Sequence, residues 1–411
     1  MTPPLRVAVV SRAVYPLHGY GGLERHVCDL VHHLSQRGLV VTLITRPATG
    51  PPNGVGAAEG ATVRFVPYRT FPFAGRRGTT VLDRSTAYPL FGLRAGRLAA
   101  ALVRAGLVDV VHGLGASVLG YAMAPAEVRG RAPLVFNPQG LEEFGGTGQR
   151  FAGGRLKRLA YTPLRWAVRR CAAASAAVLA TDHAIAPSVC RYLPAAADRV
   201  VVIPNAVDVE ACDQLAGPAD GAELRRHLPD AAIPLLLSVG RIERNKGFHV
   251  LVDALSRLRD RRWRWVVVGD GPFRNALESA IAERGLSGRV LLASRVQPER
   301  LHAWYEAADL FVHPTLYEGS SLVTLEAMAH GRAVVATTAG GLPDKVRPDE
   351  TGWLVPPGDA DALARAVGTA LDHRDRLQDL GEAGRALVER TFSWRAVADQ
   401  TIALYTRLVN R

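Results

Sequence analysis

The stretch HPTLYEGSSLVTLEAMAHG, residues 313–331, decides how the rest of the chain is read. Asp309 leads into Leu310–His313, which is apolar enough for a buried strand, and Leu322–Ala329 reads as a helix stopped by Gly331. The turn between them is Glu318-Gly319-Ser320-Ser321. A helix that begins near Ser320 or Ser321 aims its unpaired N–H groups and positive dipole end at whatever occupies that turn. This is an anion site, and phosphate is the usual anion. Glu326 lies between one and two turns further in, roughly 6–8 Å along the axis at about 1.5 Å per residue. A carboxylate there repels the phosphate but accepts hydrogen bonds from hydroxyls set back from it, such as a ribose diol. Glu318 lies on the other side, where a second sugar could sit. The geometry points to a nucleotide-diphosphate-sugar.

Other fragments fall in a fixed order around this stretch. They are GGLERHV (21–27), SVGRIERNKGFHVLVDAL (238–255), VVVGDGP (266–272), AADLFVHP (307–314), AVVATTAGGLPD (333–344), TGWLVPPGD (351–359) and the terminal FSW (392–394). Each is weak alone. Together with the two glutamates separated by seven residues, they resemble the signature of the family 4 retaining glycosyltransferases of the GT-B fold. The resemblance runs from Gly21 to Trp394. It implies an α/β protein of two facing Rossmann-like domains, with a C-terminal helix crossing back to the first. It specifies no sugar, base or acceptor.

Arg241 and Lys246 follow a strand and precede a helix, and ligands of α/β sheets sit beyond the carboxyl ends of strands. Two cations there would neutralise a diphosphate and stabilise it as a leaving group. The chain has only three lysines, and one of them is at this spot. The resemblance assigns Arg241 and Lys246 to the donor phosphates and Glu318 to the reacting sugar. It assigns the backbone of Gly319, Ser320, Ser321 and Leu322 to the diphosphate, Glu326 to the ribose and the backbone near Val296 to the base. Gly21 and Gly22 open a helix where a ligand can approach the backbone, and the family's loop there reaches the donor phosphate. A dinucleotide fingerprint does not fit, because Glu24 occupies the third glycine position after Gly19 and Gly21. Gln139, in VFNPQGLEEF, stands where the family usually carries a histidine near the reacting carbon. Glutamine can hydrogen-bond a sugar hydroxyl but cannot act as a base. The family's front-face mechanism, in which the leaving phosphate takes the acceptor proton, does not need one. Asn205, in IPNAVD, falls where the family's lobes are linked.

Composition bounds the alternatives. The 411 residues are 48% hydrophobic and 7% aromatic, ample for large aliphatic cores in two or three domains. No apolar run reaches the ~18–20 residues of a membrane span, and MTPPLRVAVVS enters a strand without a signal-type apolar segment. Cys28, Cys171, Cys190 and Cys212 have neither metal-ligand spacing nor a disulfide framework, which fits a reducing cytoplasm. No His/Cys/Asp cluster is apparent in the sequence, so neither a metal nor a cofactor is expected. The net charge of +12 is uneven: residues 1–205 hold 24 basic and 10 acidic residues, the remainder 26 and 28. The arginine content fits a GC-rich genome, but the one-sided excess suits an anionic acceptor or an acidic membrane surface. No motif supports nucleic acid.

Strands are expected at Val7–Ser11, Val40–Thr45, Thr62–Pro67, Val108–His112, Leu134–Phe136 and Ala177–Ala180. A second set is expected at Leu235–Val239, Trp265–Gly269, Val290–Ala293, Leu310–His313, Val334–Thr337 and Trp353–Val355. The alternation with helices implies parallel sheets. The expected domains are 1–204, acceptor-binding; 205–390, nucleotide-sugar-binding; and 391–411, the crossing helix.

His112 and His183 end short segments where a base could sit, although structural roles are commoner for such histidines. Asp359 and Asp361 mimic the metal-binding Asp-x-Asp of GT-A enzymes, but after Pro-Pro-Gly they read as a helix N-cap. Arg150–Arg170 carries seven basic residues and no acidic one. It is either a membrane-lying amphipathic segment split by Pro163 or a helix packed on the first domain. The expected function is a cytoplasmic, metal-independent hexosyltransferase in cell-envelope glycolipid or polysaccharide synthesis, in possible peripheral contact with the inner membrane face. A sugar-nucleotide epimerase of the same fold and a non-catalytic sugar-nucleotide sensor remain open.

Overall fold

The computed structural model describes residues 3–19, 22–48, 60–70, 79–138, 141–144 and 159–410. The chain forms two compact units, Met1–Pro204 with Val397–Arg411, and Asn205–Ala396.

Unit 1 is built on seven parallel strands: β1 (Arg6–Val10), β2 (Val40–Thr45), β3 (Ala61–Phe65), β4 (Val110–Leu114), β5 (Leu134–Asn137), β6 (Ala177–Ala180) and β7 (Val200–Val202). Their order is β3-β2-β1-β4-β5-β6-β7. All five residues of β4 are buried, as expected of a central parallel strand with helices on both faces. The helix Gly22–Gln36 turns Val27, Leu30, Val31 and Leu34 to the core. It ends before Gly38, whose φ of 82° is the left-handed value that closes a helix.

Unit 2 carries six parallel strands: β8 (Leu235–Val239), β9 (Arg264–Val268), β10 (Val290–Ala293), β11 (Leu310–His313), β12 (Ala333–Thr337) and β13 (Gly352–Val355). Their order is β10-β9-β8-β11-β12-β13. Alternate residues feed two cores. Leu236, Trp265, Leu310 and Val312 enter one, and Leu235, Leu237, Val266 and Phe311 the other. Both sheets are of Rossmann type. In each, the strand order reverses once, between β1 and β4 and between β8 and β11, and such switch points are where ligands bind.

The segments that enter and leave unit 2 are strapped together. Val207 N–H donates to Phe392 O at 2.9 Å, and Trp394 N–H donates to Val207 O at 3.1 Å. The final helix, Trp394–Val409, starts in unit 2 and belongs to unit 1 from Val397 onward. There its Tyr405 hydroxyl lies 2.5 Å from Nδ1 of His112.

β7 was not foreseen. It is a three-residue edge strand, only half-buried, and too short to show a period. No described helix is long and apolar enough to cross a membrane. The helix Thr162–Ala174 begins beside Pro163 and buries Leu164, Ala167, Val168 and Cys171 on unit 1, while Trp166 stays 53% exposed. Residues 150–158 of the basic segment lie outside the described residues.

Candidate active site

β8 and β11 are neighbours at the switch point of unit 2, so the loops that follow them meet. The first runs from Gly240 through a single turn, Arg244–Lys246, to Gly247. Gly247 has φ 69°, and a Cβ there would lie 1.9 Å from Pro314 O, so only glycine fits. The Asn245 carbonyl accepts from Leu316 N–H at 2.8 Å and from the Thr315 hydroxyl at 3.1 Å. These bonds fix the Lys246 loop against the loop that carries Glu318.

Lys246 Nζ lies 2.7 Å from Glu318 Oε2. His313, the last residue of β11, places Nε2 3.0 Å from the same oxygen. Glu318 Oε1 accepts from the Gly319 amide at 3.2 Å. Burial works to raise the Glu318 pKa, but the His313 hydrogen bond and the His313 and Lys246 charges prevail and hold it at about 2. The carboxylate is therefore a fixed anion rather than a proton donor. A third loop, after β12, backs it. Gly341 N–H donates to Gly319 O at 3.0 Å, and a Cβ on Gly340 would lie 1.8 Å from Glu318 O.

The helix Leu322–Ala329 starts at an N-cap, Ser321, whose hydroxyl accepts from Thr324 N–H at 3.3 Å. The amides of Leu322 and Val323, at the helix start, have no acceptor within the helix. The Ser320 hydroxyl is buried without a hydrogen-bond partner among the described residues. Glu326 accepts from the Tyr305 hydroxyl at 2.9 Å, and the Tyr305 ring stacks on His330 at 5.6 Å between centroids. The fold thus gathers Lys246, Glu318 and the Gly319–Leu322 turn, with Glu326 one to two turns along the helix. Such a set can bind a diphosphate beside two hydroxylated groups.

Other expected residues fall elsewhere. Arg241 lies in the Lys246 loop, but its side chain is 75% exposed and pairs with Glu243 at 3.0 Å. Val296 helps line an open pocket of about 500 Å3 with Leu291, Ala293, Arg300 and Trp304. Gly22 begins its helix and is exposed, whereas Gly21 and Gln139 lie outside the described residues. His112 is buried and held by Tyr405, and burial lowers its pKa to about 3, so it is a structural neutral imidazole. His183 is exposed. Asp359 caps the helix Ala360–Asp372 through Ala362 N–H at 2.8 Å, and Asp361 pairs with Arg257 at 2.7 Å.

Three features escaped the sequence. His313 was read only as the end of a strand, although a polar residue closing an apolar strand at a switch point was the available signal. Gly340 carried none. Cys212, His302 and His330 have no sequence spacing to unite them, yet their ligand-type atoms lie within 4.8 Å of one another. Hydrogen bonds already run through this group, from His302 Nδ1 to His330 Nε2 at 2.8 Å and from His330 Nδ1 to Glu306 at 2.6 Å.

Two family models match the chain, "Glycosyltransferase Family 4" over residues 20–211 and "Glycosyl transferases group 1" over 233–373. The chain is 31% identical to an alpha-maltose-1-phosphate synthase of Mycobacterium tuberculosis, covering 98% of this chain and 100% of that protein. It is 31% identical to a D-inositol 3-phosphate glycosyltransferase of Xylanimonas cellulosilytica, covering 99% and 97%. An MMP alpha-(1->4)-mannosyltransferase of Mycolicibacterium hassiacum is 35% identical over 58% of this chain, which spans about half of that protein, 53%. Among solved structures, a sucrose-phosphate synthase of Thermosynechococcus elongatus superposes with a TM-score of 0.76 at 24% identity, covering 98% and 99%. An Anabaena protein in complex with UDP-glucose superposes with a TM-score of 0.68 at 20% identity, covering 98% and 100%. The last two likenesses concern the fold.

Proposed function

Because the chain belongs to the family 4 glycosyltransferases, of GT-B type, we propose that it moves a hexose-type sugar from a GDP- or UDP-linked donor to an acceptor hydroxyl, with retention and without a metal. The observation that carries this reading is the convergence of Lys246 and His313 on Glu318 beside an open helix start, at the switch point of unit 2. Lys246 and the amides of the Gly319–Leu322 turn take the diphosphate. They stabilise the negative charge that builds as the glycosidic C–O bond breaks. Glu326 holds the ribose hydroxyls. Glu318, ionised and anchored, orients the donor sugar and stabilises oxocarbenium-like positive charge. The acceptor oxygen attacks from the leaving-group face, and its proton passes to the departing phosphate, so no protein base is required. Arg241, swung from Glu243, adds a second cation to the phosphates. The backbone at Val296 takes the base, and the family resemblance assigns further donor contacts to Gly21, Gly22 and Gln139.

Unit 1 takes the acceptor. Its basic excess suits an anionic one, and two full-length relatives are named for phosphorylated sugars or polyols. A role in cell-envelope glycolipid or polysaccharide synthesis at the cytoplasmic membrane face is consistent with that charge.

The test is a thermal-shift panel of nucleoside diphosphates and their sugars without metal, since a ligand that binds only the folded state must raise the melting temperature. A shift by a GDP- or UDP-sugar that Lys246→Ala abolishes supports the donor site. No shift with any nucleotide overturns it.

A further inference from the structure

The carboxyl edge of the unit 1 sheet holds a cluster of charge that the donor reading does not use. β3, β2 and β1 lie side by side and parallel, and just beyond their ends stand Tyr68, Arg46 and Arg12. The Arg46 guanidinium carbon lies 5.3 Å from the centre of the Tyr68 ring, and that of Arg12 lies 6.0 Å from the same centre. Arg12 is also 4.8 Å from the centre of the Tyr88 ring. Two positive charges are thus gathered around one tyrosine at the β1/β4 switch point.

Their partners are aromatic rather than acidic. Among the described residues, no carboxylate lies within 4 Å of either guanidinium. The nearby acids are Asp83, which accepts from the Tyr68 hydroxyl at 2.7 Å, and Glu24. The Arg46 Nε is buried without a hydrogen-bond partner among the described residues. A buried donor left unpaired is costly, and two like charges held together repel. Burial first, and then the Arg12 charge, lower the Arg46 pKa.

The site is also built from behind. The His18 ring Nε2 lies 2.9 Å from Arg46 O, which fixes the backbone that carries the guanidinium. The Tyr88 hydroxyl donates to Leu114 O at 3.0 Å, at the end of β4, and so fixes the ring under Arg12. An anion between the two arginines would relieve the repulsion and satisfy the unpaired Nε. Guanidinium groups match phosphate oxygens in pairs.

We propose that Arg12 and Arg46 form the seat for a phosphate group carried by the acceptor. The inference rests on the reading of unit 1 as the acceptor unit, and names the acceptor as phosphorylated. The phosphate could belong to a free sugar or polyol phosphate or to a phospholipid headgroup, and both present the same oxygens to the pair.

The experiment is calorimetric titration of the whole protein with glucose 1-phosphate, myo-inositol 1-phosphate and their unphosphorylated parents. In parallel, sedimentation is measured with phosphatidylcholine vesicles with and without phosphatidylinositol. Wild type, Arg46→Gln, Arg46→Lys and Arg12→Gln are compared, each first checked for an unchanged thermal shift by the donor nucleotide. Binding of a phosphorylated ligand that falls at least tenfold in Arg46→Gln and Arg12→Gln, is partly restored in Arg46→Lys and is absent for the parent sugars supports the seat. Its appearance with the soluble phosphates assigns a metabolite, and its appearance only with phosphatidylinositol vesicles assigns a headgroup. Phosphate binding unchanged in both glutamine variants, or no preference for phosphate in either arm, overturns it. An intact donor shift in that case leaves the donor reading standing, whereas loss of the shift in wild type would remove that reading separately.

Discussion

Lys246 and His313 share one acceptor atom, Oε2 of Glu318, at 2.7 and 3.0 Å. The carboxylate is thereby pinned from two strands' ends, and its charge is kept by contacts that outweigh burial.

Removing that arrangement should damage chemistry more than folding. Lys246→Ala and Glu318→Gln are expected to lower kcat by about 10²–10³, the usual cost of losing one preorganised electrostatic group. Steady-state kinetics with the donor found by thermal shift would measure it. Unchanged turnover in Lys246→Ala would sink the phosphate role.

His313→Leu removes one arm of the clamp. The folded Glu318 pKa, about 2, lies below its ordinary 4.5, so the ionised carboxylate contributes stability that is fully present above about pH 4.5. That contribution is lost as pH falls from 4.5 toward 2. Melting curves across this window should show wild type and His313→Leu far apart near neutrality and converging in acid. A constant gap would mean that His313 acts by packing alone.

Glu326 should matter to nucleotide affinity rather than to turnover. Loss of hydrogen bonds to a charged acceptor costs about 1.5–3 kcal/mol, or roughly tenfold to a hundredfold in Kd. Glu326→Ala also strands the buried Tyr305 hydroxyl, so Glu326→Gln, which keeps an acceptor for it, is the cleaner variant. Equilibrium binding of the nucleoside diphosphate gives the comparison.

Gly340→Ala tests whether the third loop is needed. The residue has φ 56°, and a Cβ would meet Glu318 O at 1.8 Å, so either Gly340 or the Glu318 turn must move. A lower melting temperature is expected, by about 2–4 °C for each kcal/mol lost, together with a fall in kcat. Full activity with native stability would show that the turn tolerates the shift.

In unit 1, Tyr405→Phe leaves the buried His112 ring without its partner at Nδ1, for an expected cost of about 1–3 kcal/mol. The depressed His112 pKa, about 3 against 6.5, means that the unfolded chain binds the extra proton. Stability from the neutral ring is thus whole above about pH 6.5 and declines as pH falls toward 3. Denaturant titrations of wild type at pH 7 and 5 should show the decline, and His112→Phe should reduce it, the rest belonging to other histidines such as His26, whose pKa burial lowers to about 4.

Most of the frame was legible because its strands are buried runs with abrupt ends. Val40–Thr45, Ala177–Ala180, Leu235–Val239, Val290–Ala293 and Leu310–His313 were read at the residues where they occur. The start of the Leu322 helix was legible because serine is a preferred N-cap. What escaped depends on side-chain direction and long-range closure. Nothing local tells that Arg241 turns to Glu243, and the polar end of an apolar strand marks His313 without telling which carboxylate it meets. Cys212 and His330 are too far apart in sequence for any spacing rule, and Arg12, Arg46 and Tyr68 become neighbours only through the strand order.

Unit 1 is completed by Val397–Arg411, which follow unit 2 along the chain. The unit that is translated first is therefore finished second. While Asn205–Ala396 is being made, the nascent unit waits with His112 lacking the hydroxyl of Tyr405 and Arg37 lacking Asp399, its partner at 2.6 Å. Domains commonly fold as they emerge, the N-terminal one first. Here the path of the chain leaves unit 1 without one of its helices until Val397–Arg411 follow. A message truncated after the second unit would release a protein whose defect lies in the first.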